Sequence, residues 1–244
     1  MLANRASTNR TGRATRVAAL YDIHGNLPAL DAVLADVDAD LIVVGGDAVA
    51  GPWPSETLER LRALGGSVRF IRGNADREAV DPAKRGLAPP EVMEFVRGRL
   101  SAEQLAFVES WPLTESFEID GLGSVLFCHA TPRSDEEILT RISPDERWRA
   151  TFQGVQQRVV VCGHTHVQFD RRVDGIRLVN AGSVGMPYEH APGAYWALLA
   201  GDVELRRTEY EPGDIAATGW PGEWPSATPE EATEYFEKLS REGA

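Results

Sequence analysis

The sequence predicts an α/β fold that opens with parallel βα units and closes with antiparallel strands. Two patterns carry that reading. Up to about residue 72, short apolar runs alternate with stretches of helical period, whereas after residue 166 strand-like segments follow one another between glycine-containing turns. A third pattern concerns chemistry: five of the apolar runs end in histidine, aspartate or asparagine.

The elements follow in order. VAALY (17 to 21) is the first strand, and Asn26 with Pro28 then opens a helix over about 27 to 37, as an N-cap and a first-turn proline. LIVVG (41 to 45), a helix over about 55 to 64 and VRFIR (68 to 72) continue the alternation. Residues 77 to 110 read as a helical insert overhanging the site, with Ser101 and Gln104 spaced as a capping box. Strand signals resume at 113 to 119 and 124 to 128, Ser143 is spaced to cap a further helix, and VVVC (159 to 162) is again a strand. Segments 167 to 173, 176 to 180, 194 to 199 and 203 to 210 form an antiparallel meander, 212 to 229 a loop rich in Pro, Gly and Trp, and 229 to 241 an amphipathic helix.

At 244 residues and 43% apolar composition the chain can bury one large core, and no boundary in it demands two domains. We expect one domain over 16 to 211 carrying the insert 77 to 110, with 212 to 244, a loop and a C-terminal helix, packed on it. Residues 1 to 15 are polar and Arg-rich without the apolar stretch of a signal peptide, so they read as a disordered tail, with a transit peptide as the minor alternative. The net charge is −12, and beyond the first 16 residues 21 basic groups face 37 acidic ones, a net −16. Such a body repels duplex nucleic acid. No apolar run has the length of a membrane span, and Cys128 and Cys162 sit inside strands as reduced thiols of a cytoplasmic protein.

Four of the five histidines stand at the ends of apolar runs, in Asp22-Ile-His24, Cys128-His129 and Gly163-His164-Thr-His166, beside Gly46-Asp47 and Gly73-Asn74-Ala75-Asp76. One buried histidine is usually a core residue, and a Gly-Asp or Gly-Asn pair is usually a turn. The joint pattern reads differently. Ligands collect at the carboxyl ends of strands in open α/β sheets, and an extended strand end would point residues two apart, such as Asp22 and His24, to one side. Asp22, His24, Asp47, Asn74, His129, His164 and His166 exceed the needs of one tetrahedral zinc, so two ions fit better. Two ionised carboxylates against two divalent ions leave about +2 in the pocket, which favours a phosphate. The mixture of carboxylate, imidazole and amide suits manganese first, then iron, zinc, nickel or cobalt.

The ordered set DxH, GD, GNxD, H and GHxH, from about 17 to 187, resembles the calcineurin-like metallophosphoesterases. The GNAD form, the small size and Asn180-Ala-Gly-Ser-Val-Gly-Met-Pro187 look most like its compact bacterial and archaeal branch. The resemblance implies a four-layer αββα sandwich of mixed sheets. It implies Asp22, His24 and His166 on one ion, Asn74, His129 and His164 on the other, Asp47 bridging, and a metal-bridging hydroxide attacking phosphorus. Many relatives have histidine where this chain has Ala75, which cannot donate a proton, leaving Asp76 as an orienting carboxylate and, with Asp47, a catalytic candidate.

The expected function is therefore a dinuclear phosphoesterase acting on small phosphodiesters or nucleotides, with oligomerisation left open. A phosphomonoesterase or protein phosphatase, and a non-catalytic metal-binding interaction module on the same fold, are the alternatives; a zinc amidohydrolase barrel matches the antiparallel half poorly. Arg72 and Arg77 are candidates to clamp a phosphate or to form an ion pair, and Trp53, Trp220 and Trp224 to stack a base or to tether the tail. Ser183 is read as shaping its turn, His190 as a loop residue, and specificity is assigned to the insert and nearby loops.

Overall fold

The computed structural model describes residues 13 to 242 apart from 85 and 87. The chain runs β1 (Arg13–Ala14), β2 (Val17–Leu20), α1 (Leu27–Asp36), β3 (Leu41–Val44), α2 (Pro54–Arg62), β4 (Val68–Phe70), α3 (Asn74–Val80), α4 (Pro90–Arg99) and α5 (Ala102–Glu109). It continues through β5 (Thr114–Ile119), β6 (Gly123–Cys128), α6 (Asp145–Thr151), β7 (Val159–Cys162), β8 (Phe169–Val173), β9 (Ile176–Asn180), β10 (Ala194–Leu199), β11 (Val203–Thr208) and α7 (Pro229–Glu242). Two mixed sheets result: β11-β10-β2-β3-β4, and β1-β5-β6-β7-β9-β8.

Side-chain alternation along the central strands explains why the sheets stack and why helices cover them. Ala18 and Leu20 of β2 point to one core, with Ile42 and Val44 of β3 and Leu30, Leu58 and Val96 of the covering helices. Val17 and Ala19 point the other way, into a core shared with Val125, Phe127, Val159 and Val161 of the second sheet. A third core lies outside that sheet, where Leu126, Val160 and Leu178 meet Trp148 and Phe152 at α6. Burial on both faces is the reason β2, β3 and β7 read as unbroken apolar runs. The layers are helix, sheet, sheet, helix.

Three expectations need correction. The four segments after residue 166 are not one meander: β8 and β9 form a hairpin in the six-stranded sheet, whereas β10 and β11 form one in the five-stranded sheet, where β10 also pairs antiparallel with β2. The loop from 181 to 193 carries the chain between sheets, and a hydrophobic pattern of period two cannot say which sheet a hairpin joins. Second, Arg13–Ala14 pairs in parallel with β5 at the edge of the second sheet, inside the span read as tail; two residues are too short to show a pattern, and residues 1 to 12 lie outside the described ones. Third, Ser143 does not cap α6, whose N-cap is Pro144. Its hydroxyl is taken instead by Glu237 of α7, a partner 94 residues away.

Other local signals hold. The Asn26 side chain accepts from Ala29 N at 3.2 Å at the start of α1, and Ser101 and Gln104 exchange the two bonds of a capping box at 2.9 and 3.2 Å. The insert is three helices, and its first, α3, begins at Asn74, directly after the loop from β4. Among the described residues no helix is long and apolar enough to cross a membrane.

Candidate metal centre

The seven ligand candidates follow the carboxyl ends of five strands from both sheets, six in loops and Asn74 at the start of α3, and all seven are buried. The backbone there is not extended strand. Asp22, His24, Asp47, His164 and His166 have φ between 48° and 69°, five of the six positive-φ residues other than glycine among those described. Each costs about 1 to 3 kcal/mol and persists only where the surroundings over-determine it. Those surroundings are visible: Asp22 N donates to Gly46 O at 3.1 Å, His24 N to Asp47 O at 2.8 Å, and Gly185 N to Asp22 O at 3.0 Å. The alternation argument for Asp22 and His24 is therefore replaced by left-handed turns that fold both side chains inward.

Both carboxylates are held in the same way, with one oxygen tied to the backbone. Asp22 Oδ2 accepts from His164 N at 2.8 Å, while Asp47 Oδ1 accepts from Ala75 N at 2.8 Å. The other oxygen faces inward. Asp22 Oδ1 is buried without a hydrogen-bond partner and lies 3.3 Å from His166 Nε2, 3.9 Å from His129 Nε2 and 4.0 Å from His24 Nε2. Asp47 Oδ2 lies 3.5 Å from His129 Nε2 and 3.8 Å from His24 Nε2.

These close approaches require glycine next door. A Cβ on Gly73 would sit 2.1 Å from Asp47 Oδ1, and one on Gly163 2.4 Å from Asp22 Oδ2. The Gly-Asn and Gly-His pairs of the sequence are thus contact points between loops as well as turns.

Three imidazoles have their tautomer set from behind. His24 Nδ1 meets Ala50 O at 3.1 Å, His129 Nδ1 meets Gly45 O at 2.9 Å and His166 Nδ1 meets Met186 O at 2.7 Å. A carbonyl only accepts, so each Nδ1 carries the hydrogen and each neutral ring offers a lone pair at Nε2. The Nε2 atoms of His24 and His166 then face one another at 3.2 Å as two acceptors. His129 Nε2 faces the Asn74 amide oxygen at 3.2 Å, whose nitrogen is turned away to Glu78 Oε1 at 3.3 Å. Opposed acceptors beside an unpartnered carboxylate oxygen are what a cation between them would satisfy, so the donor set fits metal ions.

Two triads could each hold an ion: Asp22, His24 and His166, and Asp22, Asp47 and His129. Asp22 belongs to both, while Asp47 Oδ2 stands between His24 and His129, so both carboxylates occupy the middle. His164 joins neither triad. Its ring packs 5.1 Å from that of His129, and its Nε2 is buried without a partner.

The electrostatics match an anionic centre. Burial opposes ionisation of Asp22 and Asp47, but the surrounding imidazoles hold both below the usual carboxylate range. Burial likewise opposes charge on His129, yet with no cation beside them Asp47 and Asp22 push it up to about 10, so an ion held at its Nε2 would displace a proton. His164 goes the other way, lowered to about 4 by burial and by His129, and burial with His166 lowers His24.

Asp76 is fully buried and does not line the cavity above the ligands. Its carboxylate accepts from Ala48 N, Val49 N and Gly73 N at 2.9, 3.3 and 3.0 Å, which ties the loop after β3 to the loop after β4. Burial and Asp47 raise it to about 7 against these donors. Its hydrogen bonds hold the two loops together, and it offers no atom to the cavity. Ala75 packs with Ala50, Val92 and Met93 under α4.

The remaining candidates fall into place. Arg77 pairs with Asp135 and Glu136 at 2.9 and 2.7 Å, and Arg72 lies 3.7 Å from Asp135; neither lines the cavity. Ser183 Oγ donates to Asp22 O at 2.7 Å and accepts from Met186 N at 2.8 Å, shaping its turn. His190 is exposed beside Glu230. Trp220 lines the cavity and packs edge-on to Phe95 and against Trp224, whereas the space beside Trp53 is filled by Gly213. The sequence reading missed Met186, Tyr188 and Phe236, which line the same cavity of about 360 Å³. As apolar or aromatic residues in loop and helix, they carry no signal that separates them from core.

Comparison with known proteins agrees with this geometry. Residues 16 to 202 match the family model described as the calcineurin-like phosphoesterase superfamily domain. The chain is 28% identical over 222 residues to the uncharacterized protein MJ0912 of Methanocaldococcus jannaschii, covering 80% of this chain and 88% of that protein. It is similar to the crystal structure of a metallophosphoesterase from Sphaerobacter thermophilus, with 29% identity, a TM-score of 0.68, and 84% and 92% of the two chains covered. A hypothetical protein of Pyrococcus horikoshii, PH1004, shares the fold at 21% identity with a TM-score of 0.74, over 92% and 97% of the chains. The chain belongs to the calcineurin-like phosphoesterase superfamily of metal-dependent phosphoester hydrolases.

Proposed function

We propose that the protein is a dinuclear phosphoesterase of small phosphodiesters or nucleotides, with Asp22, His24 and His166 at one ion, His129 and Asn74 at the other, and Asp47 between them. His164 stands beside the second group. The observation that carries this reading is the opposed acceptor contact of His24 Nε2 and His166 Nε2 at 3.2 Å beside the unpartnered Asp22 Oδ1. Two divalent ions held there would supply a nucleophile from water at neutral pH and stabilise charge on the phosphoryl oxygens.

The chain's own residues do the rest. Ala50, Gly45 and Met186 carbonyls fix three imidazoles, and the Ala75 and His164 amides fix the two carboxylates. Neither Ala75 nor the backbone-bound Asp76 can protonate a leaving group, which favours substrates whose leaving group departs as a stable anion, such as aryl phosphodiesters and nucleotide polyphosphates, over serine phosphate. Manganese is the ion to test first. The buried, unpaired Cys128 and Cys162 suit a reducing, cytoplasmic setting.

Purified protein loaded with Mn²⁺ should hydrolyse bis-p-nitrophenyl phosphate, and Asp47→Ala should lower kcat/KM by about 10²- to 10³-fold. Equal rates for the two proteins with manganese, cobalt, nickel and zinc would refute the assignment.

A further inference from the structure

The cavity over the metal centre has two unlike halves. Its floor carries His24, Asp47, Asn74, His164 and His166. Its walls come from the start of α4, from the loop before β10 and from the C-terminal segment, through Val92, Met93, Tyr188, Trp220 and Phe236. Among the described residues that line it, none is Lys or Arg.

Aromatic rings stand directly against the floor. Tyr188 stacks on His166 with centroids 5.0 Å apart and planes 17° apart, and Phe236 lies 6.1 Å from His164 and 6.4 Å from Tyr188. Two polar atoms of this wall have little to bond with. The Tyr188 hydroxyl meets the Met186 sulfur at 3.8 Å, a weak acceptor, and Trp220 Nε1 is buried without a partner. A pocket with one charged end, an apolar wall and a few donors fixes both the position and the kind of ligand. Further phosphates would need cations that the described lining lacks.

We propose that the wall selects the organic part of the substrate: a phosphate ester with one phosphoryl group at the floor and a planar aromatic group against the wall of Met93, Tyr188 and Phe236, its polar edge toward the Tyr188 hydroxyl. This rests on the phosphoesterase reading above and deepens it. It also moves specificity: α7 supplies the wall together with the insert. Phe236 reaches the site because α7 is pinned at its next residue, where buried Glu237 accepts from the hydroxyls of Thr140, at 2.6 Å, and Ser143.

The test separates the two readings by using ligands that cannot be hydrolysed. Calorimetry on the manganese-loaded full chain should show phenylphosphonate binding about tenfold or more tighter than methylphosphonate, since the head group is the same and the ring alone meets the wall. Phe236→Ala should narrow that ratio to about threefold or less, with manganese content per chain measured in parallel, and Met93→Ala, on the part of the wall that α4 supplies, should do the same. Equal affinities in the wild type, or a ratio untouched by both variants, would overturn the proposal. Hydrolysis of phenyl and methyl p-nitrophenyl phosphate, which share a leaving group, reports on the other reading. Turnover of both with equal phosphonate affinities retains the phosphoesterase and rejects the wall; a large phosphonate ratio without turnover does the reverse.

Discussion

At the residue scale, the centre depends on small groups as much as on its ligands. Asp47 must keep Oδ1 on the Ala75 amide so that Oδ2 points between His24 and His129, and Gly73 leaves the room for it. Gly73→Ala would place a methyl group 2.1 Å from that oxygen, against backbone on one side and ligand on the other. The carboxylate has to turn. A displacement of about 1 Å in a catalytic array costs about 10²-fold in rate, so kcat/KM should fall by that order while circular dichroism stays native. Wild-type kinetics in Gly73→Ala would mean that the Asp47 position is soft and does not set the metal geometry.

At the element scale, α7 closes the molecule and forms one wall of the cavity. Its anchor is Glu237, whose Oε1 accepts from Thr140 and Ser143, with Arg147 3.4 Å from Oε2. Glu237→Ala leaves two buried hydroxyls with one acceptor fewer, which costs about 1 to 3 kcal/mol, and it frees the helix that carries Phe236. A lower denaturant midpoint together with a raised KM for aromatic esters is expected; an unchanged midpoint would show the anchor to be dispensable. This anchor also marks the limit of legibility in the sequence. The strands and the grouping of the candidate ligands were readable because β2, β3 and β7 are apolar on both faces and because His, Asp and Asn recur together at strand ends. Ser143 in a capping pattern was misleading because a glutamate 94 residues on competes for its hydroxyl. Tyr188 and Phe236 were silent because an apolar side chain looks the same in a core and in a pocket wall, and the two hairpins after residue 166 went to different sheets because periodicity carries no partner.

At the scale of the whole molecule, the two sheets converge on one negatively charged point, and that convergence has a cost in the absence of cations. Loops after β2 and β3 in one sheet bring Asp22 and Asp47 together against His129, His164 and His166 from loops after β6 and β7 in the other, both carboxylates buried and one oxygen of Asp22 unpartnered. Five left-handed non-glycine residues add backbone strain at the same place. A ligand that binds the folded state alone stabilises it by about 2.7 kcal/mol at one hundred times its Kd. For a domain of this size each kcal/mol moves the thermal midpoint by about 2 to 4 °C. Adding Mn²⁺ to chelator-treated protein should therefore raise Tm by about 5 to 10 °C at that ligand excess. The increment should largely disappear in Asp22→Asn, because Asp22 Oδ1 faces all three Nε2 atoms and the amide removes its charge. The variant should also be less sensitive to the chelator than the wild type, since less of its stability depends on bound cations. A Tm indifferent to manganese in the wild type would mean that the sheets are held together by their shared core alone, and that the metal centre sits on the fold without contributing to it.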